Sequence, residues 1–343
     1  MSTDPARPDP AGNSSAGTGS AGTDPAGPRP AGTDPAGTSS AGSSGVAARL
    51  AAAEAQGPSV SFELYPPRTD ATRAALPARI ERLAAVAPDF FSVTYGASGS
   101  NRPVAHDLVR WILAHTAADV VAHLTCIGLP WERVRPVAEQ FLADGVRNVL
   151  ALRGDPPADV PDWRPEPGGL VRASELVARL HELAAERGVE ISVGVAATPT
   201  NRWAAPPEPP APDDDDVQAL LAKQRAGADY AVTQVFFDPA VYVAYRDAAR
   251  AAGVTIPVLP GVVPMENPAR LRRLQDISRV PVPAEALARL EAASDDDVRR
   301  AEGRAMGAAL VRGVLDAGAP GVHVYTFNED AAPLALLAGA GLR

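Results

Sequence analysis

The chain has 343 residues, 46% of them apolar and 21% charged, with one cysteine and a formal net charge of −9. That length holds one large domain or two ordinary ones, and no run of about 18 apolar residues is present to cross a membrane. A lone cysteine excludes a disulfide scaffold and a four-cysteine zinc site, and the acidic balance argues against a nucleic-acid binder, which needs a basic face.

Residues 1–45 contain no Val, Ile, Leu, Phe, Tyr or Trp, and AGTDPAG occurs twice, at 21–27 and 31–37. A stacking repeat needs an apolar face, which these units lack. The glycine period of five is not that of collagen. Such a segment buries too little surface to offset the ordering of its backbone, so a disordered tail is expected over 1–45. It has no apolar core of a secretory signal. With a single cysteine, the expected location is the cytoplasm.

From Val46 onward, short apolar runs alternate with longer amphipathic stretches. Strands are predicted at 60–64, 90–94, 120–125, 148–152, 191–195, 230–235, 256–259 and 321–325. They are apolar on both faces, as a buried parallel sheet requires. The clearest helix is 131–143, with Trp131, Val134, Val137, Ala138, Phe141 and Leu142 on one face. Another begins at the acidic run 213–216, where carboxylates cap free N–H groups. Eight such units predict a (β/α)8 barrel over 46–343, with extra helices near 284–293 and 296–315 between the last two strands. A doubly wound open sheet would place a glycine-rich turn after the first strand. Here that strand runs into Tyr65, Pro66 and Pro67.

A barrel carries its site at the carboxyl ends of its strands. Glu63, inside SFELYPPR, is a carboxyl group in a strand expected to be buried. Desolvation would raise its pKa and suit a general acid, while a structural carboxylate paired with Arg68 is the alternative. Asp155, in LRGDPP, precedes two prolines that should stiffen its loop; it fits a catalytic carboxylate or a turn cap. His123 is a lone strand histidine, which fits a core position as well as a site. His106, His115, His181 and His323 are scattered with no HExxH spacing, so no metal is expected. Cys126 has no evident base and reads as a small core residue.

SFELYPPR, VTYGASGS, AHLTCIG, NVLALRGDPP, AGADYAVTQVFFD, PVLPGVVPM and HVYTFN occur in this order at the strand ends. Together they resemble the 5,10-methylenetetrahydrofolate reductase family, from about Ser59 to the C-terminus. The resemblance implies a flavoprotein barrel in which NADH or NADPH reduces FAD, and the flavin then reduces methylenetetrahydrofolate to 5-methyltetrahydrofolate for methionine synthesis. It makes Glu63 the general acid for opening the folate's five-membered ring. It places Asp155 near flavin and pterin, and Gln234 on the folate or nicotinamide. Thr94, Tyr95, His123, Arg153 and Gly154 match flavin contacts, and Asp216 and Lys223 match a pair near the outer half of FAD. Arg270 stands where a folate-contacting amide is usual. The implied partners are small molecules, not nucleic acid or membrane, and the oligomeric state is left open.

Two departures stand out. After the fifth strand, Thr198 and Arg202 stand where the family has an aromatic before Pro199 and a histidine three residues beyond it, so FAD is expected to bind loosely or not at all. Glu329 follows Asn328 where the family has a basic residue for the folate tail. Direct hydride transfer without flavin, and a folate binder without turnover, are the alternatives. Retention of Glu63 argues against the second. No regulatory domain follows the barrel, so inhibition by S-adenosylmethionine is not expected.

Overall fold

A computed structural model of the chain describes residues 45–95, 102–156, 160, 162–199 and 210–342. The tail expected over 1–45 lies outside these residues except for Gly45. Only the ends of the 198–212 loop are described.

The strands are β1 (Ser59–Leu64), β2 (Phe90–Val93), β3 (Asp119–Thr125), β4 (Asn148–Leu152), β5 (Ser192–Ala197), β6 (Tyr230–Thr233), β7 (Val258–Leu259), β8 (Gly261–Val262) and β9 (Gly321–Tyr325). All pairings are parallel, in the order β7-β6-β5-β4-β3-β2-β1-β9-β8. β7 and β8 are two halves of one bent stave, separated by Pro260, which has no N–H to give to a ladder. The first half pairs with β6 and the second with β9, so the bend closes the barrel. The Gly261 N–H, where a further ladder bond would lie, donates to Thr233 Oγ1 at 2.8 Å. A Cβ on Gly261 would sit 2.4 Å from the Thr233 carbonyl, so only glycine fits this join. Counting the bent stave once, this is the (β/α)8 barrel expected from the pattern.

Eleven to twenty-one residues long, the helices that matter most to the site are α3 (Asp70–Ala84), α5 (Trp131–Ala143), α7 (Asp215–Arg225), α9 (Pro268–Ser278) and α11 (Asp296–Asp316). The acidic run caps α7 as expected: Asp214 accepts the Asp216 N–H at 3.0 Å. The extra helices after the seventh stave are α9, α10 (Ala284–Glu291) and α11. Period-two alternation sends Val60, Phe62 and Leu64 of β1 outward into the helix layer, with Val120, Ala122, Val322 and Val324. The inward set is separate. Phe90, Val121, Leu150, Tyr230, Val232 and Leu259 fill the barrel with Val46 and Leu50. Those last two belong to α1 (Val46–Ala51), which closes the N-terminal end as a plug. No side chain of its own caps that helix. The strands do so instead: the Val46 N–H donates to Asn148 Oδ1 (3.0 Å) and the Ala47 N–H to Ser192 Oγ (3.3 Å). No helix among the described residues is long and apolar enough to cross a membrane.

Candidate active site

The same alternation that buries Phe62 and Leu64 turns Ser61 and Glu63 into the barrel. β1 lies between β2 and β9, so Glu63 is level with Ser92 and Tyr325. The carboxyl group stands at the open end, its side chain 20% exposed. Glu63 is therefore half-buried rather than enclosed, because the strand ends there and the mouth above it admits water. His123 Nε2 approaches Glu63 Oε2 at 3.7 Å and His323 Nε2 approaches the same oxygen at 3.9 Å. These are near contacts, longer than hydrogen bonds. Burial lowers the His123 pKa to about 4, against the pull of Glu63 and with the His323 ring adding to the drop. A neutral imidazole forms no ion pair with Glu63, so the short distances mark proximity rather than charge pairing. Among the described residues, His123 Nε2 is buried with no hydrogen-bond partner. Such an atom is costly unless something else meets it.

Beneath the carboxyl group, His323 is held on both ring nitrogens. Nδ1 shares a hydrogen bond with Ser61 Oγ (2.8 Å) and Nε2 one with Ser92 Oγ (3.2 Å). Phe90 stacks on its face at 5.6 Å and Tyr325 meets it edge-on at 5.4 Å. Burial first, and the Glu63 charge second, hold the Tyr325 phenol well above its ordinary pKa. It stays protonated and donates to the Thr233 carbonyl at 2.8 Å. Sequence reasoning passed over His323, Ser61 and Ser92. Their signal was parity: each lies an even number of residues from an inward position on its own strand.

The other expected residues divide. Thr94 is half-buried at the β2 exit, and its N–H donates to the Leu64 carbonyl (2.9 Å). Tyr95, one residue on, faces outward. Its ring packs edge-on against His106 (6.0 Å) and Phe141 of α5 (5.6 Å), so its side chain belongs to the helix layer and not to the mouth. Asp155 stands in solvent rather than enclosed at the mouth: its side chain is 92% exposed, with Arg153 at 3.8 Å. Lys223 is held, donating to the Ala196 carbonyl at the end of β5 (2.8 Å). Burial lowers its pKa, Asp216 opposes that, and the Arg153 charge adds to it. Two cations therefore share the β4–β5 side of the mouth. Gly154 has φ 81°, and a Cβ there would lie 3.2 Å from Thr125 and Ile127. Gln234 is half-buried, and its Oε1 accepts the Val235 N–H (2.8 Å), which leaves its NH2 with no hydrogen bond among the described residues. On the opposite rim, Arg270 lies 5.0 Å over the Phe327 ring and 3.8 Å from Glu329, which Arg79 of α3 also approaches at 3.3 Å. The charge that replaces the usual basic residue is thus countered by two arginines.

Cys126 is a core residue: it is buried, and burial pushes its thiol up to about 11. Among the described residues no group of three His, Cys, Asp or Glu side chains could hold a metal ion. The site is a half-buried carboxyl group beside two imidazoles, with cations on one rim and an amide on another. It can exchange a proton with a flat polar ligand and meet anionic groups at its edges.

Residues 49–341 match the family profile described as methylenetetrahydrofolate reductase. The chain is 32% identical to 5,10-methylenetetrahydrofolate reductase of Escherichia coli (strain K12), over 87% of this chain and 96% of that one. It is 31% identical to methylenetetrahydrofolate reductase 2 of Saccharomyces cerevisiae, over 82% of this chain and 46% of that longer one. Among solved structures it resembles an uncharacterized protein from Clostridium thermocellum described as binding two copies of 5-methyl-5,6,7,8-tetrahydrofolic acid. The TM-score is 0.56 at 13% identity, covering 82% of this chain and 93% of that one. At that identity the likeness is one of fold.

Proposed function

Since the chain belongs to the methylenetetrahydrofolate reductase family, we propose that it reduces 5,10-methylenetetrahydrofolate to 5-methyltetrahydrofolate with NADH or NADPH, feeding methionine synthesis. The observation that carries this reading is the Glu63 carboxyl group, set at the mouth with no hydrogen bond of its own among the described residues. In this role Glu63 gives a proton to the folate ring nitrogen, the carbon–nitrogen bond of the five-membered ring opens, and the resulting iminium carbon accepts hydride. Gln234 orients the pterin edge through its free amide hydrogens. Arg270 meets the carboxylates of the folate tail. The low pKa of His123 keeps its imidazole neutral beside Glu63, so the ring does not trap the carboxylate as an ion pair.

The residues present fit FAD. The orphaned His123 Nε2 offers a buried hydrogen-bonding atom at the mouth. Arg153 and Lys223 give two cations for a diphosphate, with Asp216 beside Lys223 for hydroxyl groups. FAD, when bound, would carry hydride from the nicotinamide to the folate. Thr94, with its hydroxyl near the β2 exit, completes the set. Asp155, exposed beside Arg153, supplies a second carboxyl group on the β4 side of the mouth.

A visible spectrum of the purified protein, with an NAD(P)H-dependent product assay with and without added FAD, tests this reading. Activity that appears or rises with FAD is the expected result. Full activity in colourless protein without FAD would replace it with direct hydride transfer. No formation of 5-methyltetrahydrofolate under either condition would reject the reductase reading.

A further inference from the structure

We propose that Thr326 and Asn328 are positioning residues for Glu63: they clamp the exit of β1 to the exit of β9 and so aim the carboxyl group. The proposal rests on the functional reading above. The β1–β9 ladder ends at the pair Glu63–Tyr325. Beyond it, one long backbone bond remains, from the Thr326 N–H to the Glu63 carbonyl at 3.4 Å, and side chains add to it. Thr326 Oγ1 donates to the Glu63 carbonyl at 2.6 Å and accepts the Asn328 N–H at 3.0 Å. Asn328 then reads both polar groups of Tyr65: its Oδ1 accepts the Tyr65 N–H (2.9 Å) and its Nδ2 donates to the Tyr65 carbonyl (2.7 Å). Tyr65 answers by donating its hydroxyl to the Phe327 carbonyl at 3.1 Å.

The residue type follows from this geometry. Only a side chain with one donor and one acceptor can bridge both groups of a peptide, which aspartate and leucine cannot do. Phe327 and Asn328 both have left-handed backbones, φ 55° and 57°. Asparagine tolerates that region, whereas phenylalanine does so at a cost. Such backbone persists only where its surroundings over-determine it. Here Arg79 of α3 adds a bond to the Asn328 carbonyl at 2.7 Å, and both Thr326 and Asn328 are buried.

The clamp matters because, among the described residues, no side-chain hydrogen bond holds the acid. Among the described residues no hydrogen bond of ordinary length reaches the Glu63 carboxyl group; its two imidazole neighbours stand 3.7 and 3.9 Å away. Its place is therefore set by its backbone, which the β2 ladder and the Thr94 N–H to the Leu64 carbonyl hold on one side and Thr326 and Asn328 hold on the other.

The test uses the full chain with Thr326→Val, Thr326→Ser and Asn328→Gly, each alone and combined with Glu63→Gln. Glycine accepts φ 57°, so Asn328→Gly removes the amide without adding strain. Thr326→Val and Asn328→Gly should lower kcat about tenfold or more, because a small displacement of a reacting group is costly. KM for methylenetetrahydrofolate should stay within about twofold, and Thr326→Ser, which keeps the hydroxyl, should recover most of kcat. In the Glu63→Gln background the same changes should add little further loss. Folded variants with unchanged kcat, or losses that simply multiply with that of Glu63→Gln, would overturn the proposal. A wild-type chain that forms no 5-methyltetrahydrofolate would overturn the functional reading and the proposal with it.

Discussion

The two ends of the barrel use the same strands for opposite purposes. At the N-terminal end the interior is mainly apolar and closed: α1 inserts Val46 and Leu50 among Phe90, Val121, Leu150 and Leu259, and the polar Asn148 and Ser192 are used up in capping it. At the C-terminal end the inward positions turn polar, with Ser61, Ser92, His123 and His323 buried and Glu63 partly exposed above them. The backbone differs too. Of five non-glycine residues with left-handed backbone among those described, three (Ile127, Phe327 and Asn328) lie on loops leaving the mouth. Unfavourable groups are gathered where a ligand can use them, and the closed end supplies the burial that offsets them. Damage to one end should therefore reach stability, and damage to the other should reach chemistry.

The largest stability effect is expected at the plug. Leu50 is 2% exposed, and Leu50→Ala should cost about 4 kcal/mol, from lost burial plus the cavity left behind. Denaturant unfolding would measure it, and turnover per folded molecule should stay unchanged. A loss of kcat in the folded variant would dissolve the division between the ends.

His123 sharpens the comparison through pH. Its folded pKa is pushed down to about 4 by burial, whereas an unfolded histidine titrates near 6.5. Between those values the unfolded chain binds a proton that the folded protein refuses. This contribution is present in full above about pH 6.5 and is lost as pH falls towards about 4, on the order of 3 kcal/mol in all. His123→Gln should flatten that part of the stability curve. An unchanged slope in the variant would show that His123 is not kept neutral by the fold.

The smallest effect is expected at Cys126. Its thiol is buried and raised to about 11, and the thiolate is the reactive form. Iodoacetamide at pH 8 should leave the native protein unmodified and label it only when unfolded. Rapid labelling of the folded chain would place Cys126 at the mouth rather than in the core.

Much of this architecture could be read from the chain. All eight staves were visible because a strand buried on both faces is a short apolar run with clear ends. The bend at Pro260 was less visible: the apolar run stopped at Leu259, and only the pairing of Gly261 with His323 shows that the stave continues. Glu63 was legible because a carboxyl group between Phe62 and Leu64 is chemically out of place. His323 was not, since its meaning depends on barrel closure, which brings β9 beside β1 across about 260 residues of chain. Tyr95 was assigned to the mouth from its neighbours in a motif, although parity with Phe91 and Val93 sends it outward. Asp155 lay where expected along the chain, but its exposure depends on loop packing that a pair of prolines does not specify.

The most direct test of the account concerns Glu63. Glu63→Gln keeps the shape of the side chain and removes its proton-donating carboxyl group. The measurement pairs kcat for methylenetetrahydrofolate reduction with the calorimetric affinity for 5-methyltetrahydrofolate, in wild type and variant. The account predicts a fall in kcat of about a hundredfold or more, with affinity largely kept and the melting temperature unchanged. A variant that retains most of its turnover would contradict the claim that this carboxyl group is the acid of the reaction.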